Sequence, residues 1–347
     1  MDVPPPSTTA ANHRVRFADA PERDSAERSA ADPLIDAPAD AIVETIGLSK
    51  RFGSFAALTD CSLRIRRGEV FGLLGPNGAG KTTFLRLLLG FLFPSSGKAI
   101  INGIDSVEDS VAVRRAVSYL PGDARLPRHM KGRAVLEFFA EMQPDGDLQR
   151  SLEIAERMEL DLKPRVAFMS TGMRQKVALA VVLGARTPVL ILDEPTANLD
   201  PTVRAAVLQM VAEAQQEGRT VMFSSHVLAE IEEVCTRVAF LRRGRLARQQ
   251  RLAELKQRHR IVAVRPEPIG TVPDAIAPLV QWEHDLSTGI VRMDTTGDLA
   301  PLLGWLGSLQ LQRMRVEPLG LRAIYDEVHD EGAAPHPGRR RAAEDQG

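Results

Sequence analysis

Cysteine is scarce in this chain: its 347 residues include two, Cys61 and Cys235, far apart and matching no metal-ligand spacing. A cysteine-based metal centre is thereby excluded, a reducing compartment is expected, and both thiols read as small buried apolar side chains. An excess of either charge is also missing. The 44 Lys and Arg stand against 45 Asp and Glu, so no overall field draws the chain to nucleic acid or to an anionic membrane surface. Long apolar runs are absent as well. Residues 177–192 are interrupted by Arg186 and Pro188, short of the roughly 20 residues a membrane-crossing helix needs. Residues 1–39 hold no apolar segment of the secretory-leader kind. They are rich in Pro, Ala, Asp and Arg without apolar period, which predicts disorder, as in the tail 332–347.

What is present has globular composition, 44% apolar and 26% charged, with length for about two domains. Order is expected from Ile42-Val43, in a strand that ends before the turn Lys50-Arg51-Phe52-Gly53. Leu63 and Ile65 then alternate with polar residues toward Arg66-Arg67-Gly68. Strands are predicted over 70–74, 98–101 and 117–120. Between 122 and 184 the apolar spacing changes to that of helices, over 134–142, 148–160 and 172–183. Strand, helix, strand returns over 189–192, 201–217 and 220–223; Asp200-Pro201 is an N-cap followed by a first-turn proline. Such alternation means βαβ units around a mainly parallel sheet. A hairpin, 238–241 and 245–247, closes this domain near 258. Residues 259–331 read as a small α+β domain with strands at 261–264, 289–293 and 311–316 and a helix at 299–306.

Chemistry concentrates in Gly75-Pro76-Asn77-Gly78-Ala79-Gly80-Lys81-Thr82-Thr83, between the apolar strand 70–74 and an apolar helix 84–89. It fits G-x-x-x-x-G-K-[ST] in the strand–loop–helix context that gives the motif its meaning. Glycines let successive N–H groups turn inward as a nest for phosphate oxygens beside the positive end of the helix. Lys81 is expected on the β- and γ-phosphates and Thr82 as a ligand of Mg²⁺, a task for which Thr83 is not needed. Residues 189–192 lead into Asp193-Glu194, which places two carboxylates at a strand's C-terminal edge. Asp193 suits Mg²⁺ and its water shell; Glu194 suits polarising the attacking water.

The order of motifs now resembles one family. The phosphate loop, Met169-Ser170-Thr171-Gly172-Met173-Arg174-Gln175-Lys176, Leu192-Asp193-Glu194-Pro195-Thr196, Ala197-Asn198-Leu199-Asp200 and Ser225-His226 follow each other as in the ATP-binding subunits of ATP-binding-cassette (ABC) transporters, over about 42–246. The resemblance implies a P-loop NTPase ABC-type domain over 40–258 with a helical subdomain inserted at about 122–184. It implies ATP and Mg²⁺, with Glu194, His226 and Lys81 catalytic, Thr82 and Asp193 on the metal, and residues 75–83 on the phosphates. Phe52 would stack on adenine. In a homodimer or pseudo-dimer, Ser170, Gly172 and Asp200 would face the other subunit's nucleotide. Ser170 stands where a helix begins, so its hydroxyl and the Gly172 N–H suit a γ-phosphate. A separate multi-span membrane permease is the implied partner, docking near 122–142 and holding the chain to the cytoplasmic face of the cell membrane; Leu126 and Met130 are the expected contacts.

The sequence departs from the family in places. Met169, Thr171 and Met173 replace residues of the usual Leu-Ser-Gly-Gly-Gln, a variant that resembles exporters of drugs, lipids or polysaccharides. Thr171 resists the positive φ that glycine accepts. Gly122-Asp123 stands where a metal-touching glutamine is usual; Asp123 could take that contact, directly or through water, or the site dispenses with it. Two alternatives remain open: a soluble ATPase of the same superfamily serving translation or DNA, and an ATP-binding regulatory subunit with weak turnover. The near-zero net charge and single cassette weigh against nucleic acid.

Overall fold

The computed structural model describes residues 14–15, 40–143 and 145–330, so the rest of the 1–39 extension and the tail from 332 lie outside the described residues. Two compact units are present, one of residues 40–252 with 322–330, the other of 253–321 with 14–15. The first element, β1 (Arg14–Val15), is a two-residue strand within the stretch whose composition predicts disorder, and it belongs to the second unit.

In the first unit, β2 (Ala41–Phe52) and β3 (Phe55–Arg66) form a hairpin turned at Gly53. They join β5 (Ser96–Ile101) and β6 (Ile104–Asp105) in an antiparallel sheet ordered β3-β2-β5-β6. The second sheet holds β4 (Val70–Leu74), β7 (Val117–Leu120), β8 (Val189–Asp193), β9 (Thr220–Ser224), β10 (Arg237–Arg242) and β11 (Arg245–Arg251). Its order is β11-β10-β4-β9-β8-β7, parallel except at β11. The central strands β4, β8 and β9 are buried at every residue. That is why they read as continuous apolar runs rather than alternations: in a parallel sheet both faces are covered. α1 (Lys81–Leu88) packs into this core through Phe84, Leu85, Leu87 and Leu88.

α2 (Ser110–Arg115) precedes β7, and α3 (Gly132–Met142), α4 (Leu148–Arg157) and α5 (Thr171–Gly184) form the helical insert. α6 (Pro201–Gln216) and α7 (Leu228–Val234) follow in the first unit, and α8 (Leu252–Lys256) begins at its last residue before 253. α4 ends three residues earlier than its apolar spacing predicts because Glu159 takes a left-handed φ of 53°, which no helix continues through. α1 begins before its predicted start because its N-cap is Gly80, with no side-chain cap to mark the boundary.

The second unit is an antiparallel sheet of β12 (His259–Val264), β13 (Val280–Asp285), β14 (Ile290–Thr295) and β15 (Gln312–Pro318), ordered β1-β13-β14-β12-β15. α9 (Leu303–Ser308), preceded by a 3₁₀ turn at 300–302, contributes Leu306 to a core with Ile261, Val280, Val291 and Met293. α10 (Leu321–Asp330) clusters from residue 322 with the first unit, where the Arg242 guanidinium donates to the Val328 carbonyl. Among the described residues no helix is long and apolar enough to cross a membrane.

The insert is held by a close helix crossing. A Cβ on Gly184 of α5 would lie 2.1 Å from Ser151 Oγ and 3.0 Å from Ser151 Cα in α4, the latter a backbone atom that cannot rotate away. Gly184→Ala is expected to destabilise the chain by about 1–3 kcal/mol, the usual cost of overpacking, read as a lower urea midpoint; an unchanged midpoint would mean the helices separate freely.

Candidate functional site

The loop between β4 and α1 folds around a lysine. Lys81 is 8% exposed, and its Nζ donates to the Gly75 carbonyl at 2.6 Å and the Pro76 carbonyl at 3.4 Å. Pro76, Asn77, Gly78 and Thr82 are exposed along the same loop, while Gly75 and Ala79 are buried beneath it. Gly80, the N-cap of α1, has φ 108°, and a Cβ there would meet the Ala57 carbonyl at 2.9 Å. Only glycine fits that backbone. α1, like α3 and α7, has no side-chain cap. With the loop of exposed Pro76, Asn77 and Gly78 in front of it, the uncapped first turn of α1 suits an anion.

The ends of β8 and β9 bring the acids to this loop. Register pairs Asp193 with Ser224. The Ser224 hydroxyl donates to Asp193 Oδ1 at 2.6 Å and accepts the Glu194 N–H at 3.1 Å. Asp193 is buried, and its Oδ2 accepts from Thr82 Oγ1 at 3.5 Å. Glu194 has a φ of 52°, an uncommon conformation for a non-glycine residue that its N–H bonds to Ser224 hold in place. Its Oε2 lies 2.6 Å from Nδ1 of His226, whose side chain is 71% exposed. With Nδ1 protonated, the imidazole donates to the carboxylate and leaves its other nitrogen to solvent.

Beside these residues lies a cleft of about 450 Å³ lined by Thr82, Arg86, Tyr119, Pro121, Gly122, Asp123, Arg125 and Asp193. Burial, and secondarily the charge of Asp193, pushes the Tyr119 phenol up to about 12, so it stays a neutral donor. A Cβ on Gly122 would sit 3.6 Å from Asp193 Oδ2. The position is thus next to the carboxylate, but glycine offers it nothing. Asp123 pairs with Arg125 at 3.2 Å. A hydroxyl and a carboxylate oxygen 3.5 Å apart, both facing a polar cleft, suit Mg²⁺, a hard cation that takes few protein oxygens and keeps water or phosphate in its remaining positions.

Ser170 and Gly172 lie elsewhere. Ser170 Oγ accepts the Met173 N–H at 3.1 Å as N-cap of α5, and a Cβ on Gly172 would meet the Asn198 carbonyl at 2.8 Å. Thr171 takes no positive φ; it occupies the first turn of α5, so its side chain is accommodated there. Among the described residues no hydrogen bond joins Ser170 or Gly172 to residues 75–83. Asp200 caps α6 through the Val203 N–H, which lowers its carboxyl below the usual range. Phe52 is 49% exposed with the Lys50 ammonium 5.1 Å from its ring centre, so it is not a core side chain. Leu126 and Met130 are half-buried.

Three contributors were not legible in the sequence. Ser224 is the bridge already described. Gln175 donates to the Pro195 carbonyl at 3.0 Å, tying α5 to the loop after Glu194. Glu230 is buried and accepts from both Thr196 and Ser225 at 2.8 Å, which fixes the loops on either side of Glu194 and His226. A carboxylate soon after Ser225-His226 was a signal that spacing alone does not interpret.

The ABC transporter family profile matches residues 58–197. The daunorubicin resistance ATP-binding protein DrrA3 of Streptomyces coeruleorubidus is 35% identical over 301 residues, covering 84% of this chain and 95% of that protein. The ABC transporter ATP-binding protein YtrB of Bacillus subtilis (strain 168) is 32% identical over 219 residues, 63% of this chain and 75% of the relative. A solved structure described as the ATP-binding subunit of an ABC transporter superposes with a TM-score of 0.59 at 28% identity, over 62% of this chain and 92% of that one. With likeness running through nearly the whole of one relative, and with a phosphate loop, paired acids and a histidine assembled at one sheet edge, the chain belongs to the ABC transporter family, among its ATP-binding subunits.

Proposed function

We propose that this chain binds ATP with Mg²⁺ and hydrolyses it to drive export through a separate membrane subunit. The observation that supports the reading is the connected series Thr82–Asp193–Ser224–Glu194–His226 beside one phosphate loop, with a hydroxyl and a carboxylate that suit Mg²⁺ and a second carboxylate bonded to a histidine. Lys81 and the first-turn N–H groups of α1 bind the β- and γ-phosphates. Thr82 and Asp193 hold the Mg²⁺, whose charge offsets that of the phosphates when bound. Glu194 accepts a proton from the attacking water, and His226 orients Glu194 and reaches the γ-phosphate. Phe52 offers its exposed ring to the adenine. The regulatory alternative lacks support in this geometry, since the base and its histidine are already aligned.

The site also calls for a second copy. Ser170 and Gly172 stand on the α5 side, unconnected to the chain's own phosphate loop, and suit the γ-phosphate bound by another subunit. The drug-resistance name of one relative and the exporter-like Thr171-Gly172-Met173, which resembles subunits for drugs, lipids or polysaccharides, favour export. The permease would dock near residues 122–142, with the chain held at the cytoplasmic face of the membrane.

Glu194→Gln is expected to keep ATP affinity within about twofold and to lower turnover by 10²–10⁴, the range general-base catalysis contributes; steady-state phosphate release and calorimetry on the purified chain read the two quantities. Wild-type turnover in this variant would remove Glu194 from the assignment. Ser224→Ala is expected to lower kcat about 10–100-fold and raise the Mg²⁺ needed for half-maximal activity, as loss of a metal-orienting partner does. Ser224→Thr, which keeps the hydroxyl, should recover part of both; equal loss in the two variants would assign Ser224 to packing alone.

A further inference from the structure

A cavity of about 290 Å³ lies where β8 and β9 begin, at the end of the parallel sheet opposite the acids. α4, the end of α5 and α6 wall it, and Arg219 completes the lining. Arg219 is brought there by the way α6 stops. Gly218 takes a φ of 84°, its N–H donates to the Gln215 carbonyl at 2.8 Å, and the Arg219 N–H donates to the Ala214 carbonyl at 3.0 Å. In this glycine-terminated stop the residue after the glycine often makes an apolar contact back to the helix. Here that residue is an arginine, and it is only 6% exposed.

A buried arginine ordinarily has a partner of opposite charge. The Arg219 Nε donates to the Thr187 carbonyl at 2.9 Å and Nη1 to the Leu183 carbonyl at 3.3 Å. Both partners are neutral, and among the described residues Nη2 is buried with no hydrogen-bond partner. The other three arginines of the cavity are matched: Arg150 by Glu217 at 2.6 Å, Arg157 by Glu213 at 2.6 Å, and Arg186 by Asp147 at 3.0 Å. Glu153, the fourth acid of the lining, is exposed and accepts from Gln149. Burial, and then the charge of Arg150, pushes the Arg219 guanidinium down to about 10, with Glu217 opposing and Arg186 adding to the shift. It is still charged at neutral pH.

A neutral occupant of the cavity could accept from Nη2 but would leave this charge without a counter-ion, whereas an anion answers both needs. The Leu183 carbonyl, at the negative end of α5, is already engaged by Nη1, so it does not face an incoming anion unscreened. The volume is at the lower limit of the roughly 300–1,000 Å³ typical of small-molecule sites, which favours a small ion over a nucleotide. We propose that this cavity binds a small inorganic oxyanion of the phosphate or sulfate class, held by Arg219 with Arg150 beside it. The site is separate from the nucleotide chemistry proposed above.

Equilibrium dialysis of the full-length chain against radiolabelled inorganic phosphate in chloride buffer tests this. Lys81→Ala, which removes the lysine of the phosphate loop, should still bind about one phosphate per chain, as expected for a single site outside that loop. In the same background Arg150→Gln should weaken binding about tenfold and Glu217→Gln should tighten it about threefold, since one removes a cation and the other an acid from the wall. Both substitutions break the same ion pair, so a purely structural effect would move affinity in one direction. Arg219→Met should abolish binding. Phosphate binding lost with Lys81→Ala alone would assign the ion to the nucleotide site and overturn the proposal. Shifts of the same sign from Arg150→Gln and Glu217→Gln, no shift in either, or unchanged affinity in Arg219→Met would overturn it as well.

Discussion

The Ser224 hydroxyl sits between the two acids of the site, 2.6 Å from Asp193 Oδ1 and 3.1 Å from the Glu194 nitrogen. It joins the ends of β8 and β9, strands buried along their whole length, so the position of both carboxylates is set by the packing of the sheet rather than by loop choice. Glu194 could not keep its left-handed backbone without the partners its N–H finds on Ser224. Both carboxylates are therefore positioned through one short contact, and β4 next to β9 brings the phosphate loop to the same edge.

Around this centre a second layer restrains the loops. Glu230 gathers hydroxyls from Thr196 and Ser225, and Gln175 ties α5 to the Pro195 carbonyl. Through Gln175, a movement of the helical insert would be felt one residue away from Glu194. Gly122 itself presents no side chain to Asp193, while the bond from Gln175 to the Pro195 carbonyl ties α5 to the loop after the acids.

The phosphate loop and the Asp193-Glu194 pair were legible because their chemistry is contiguous: one backbone turn and one strand end carry it. The buried parallel strands announced themselves as unbroken apolar runs, and α5 and α6 by Ser170 and Asp200 at their caps. Ser224, Gln175 and Glu230 were not legible as site residues, because each acts through a partner distant in sequence, such as Thr196 for Glu230. β13 was missed although Val280, Trp282 and His284 alternate with polar residues, because a histidine at an inward position reads as polar. β1 could not be found by local pattern at all: a two-residue strand exists only through its long-range pairing with β13.

The central claim is that one working site draws its phosphate loop from one copy of this chain and its Ser170 from another. Mixing two inactive variants, Lys81→Ala and Ser170→Arg, tests it directly. Random pairing in a symmetric dimer gives half mixed dimers, each with one intact composite site and one doubly impaired. ATPase activity should then return to about a quarter of the wild-type value at equal subunit concentration. Activity in the mixture no higher than in either variant alone would contradict the account.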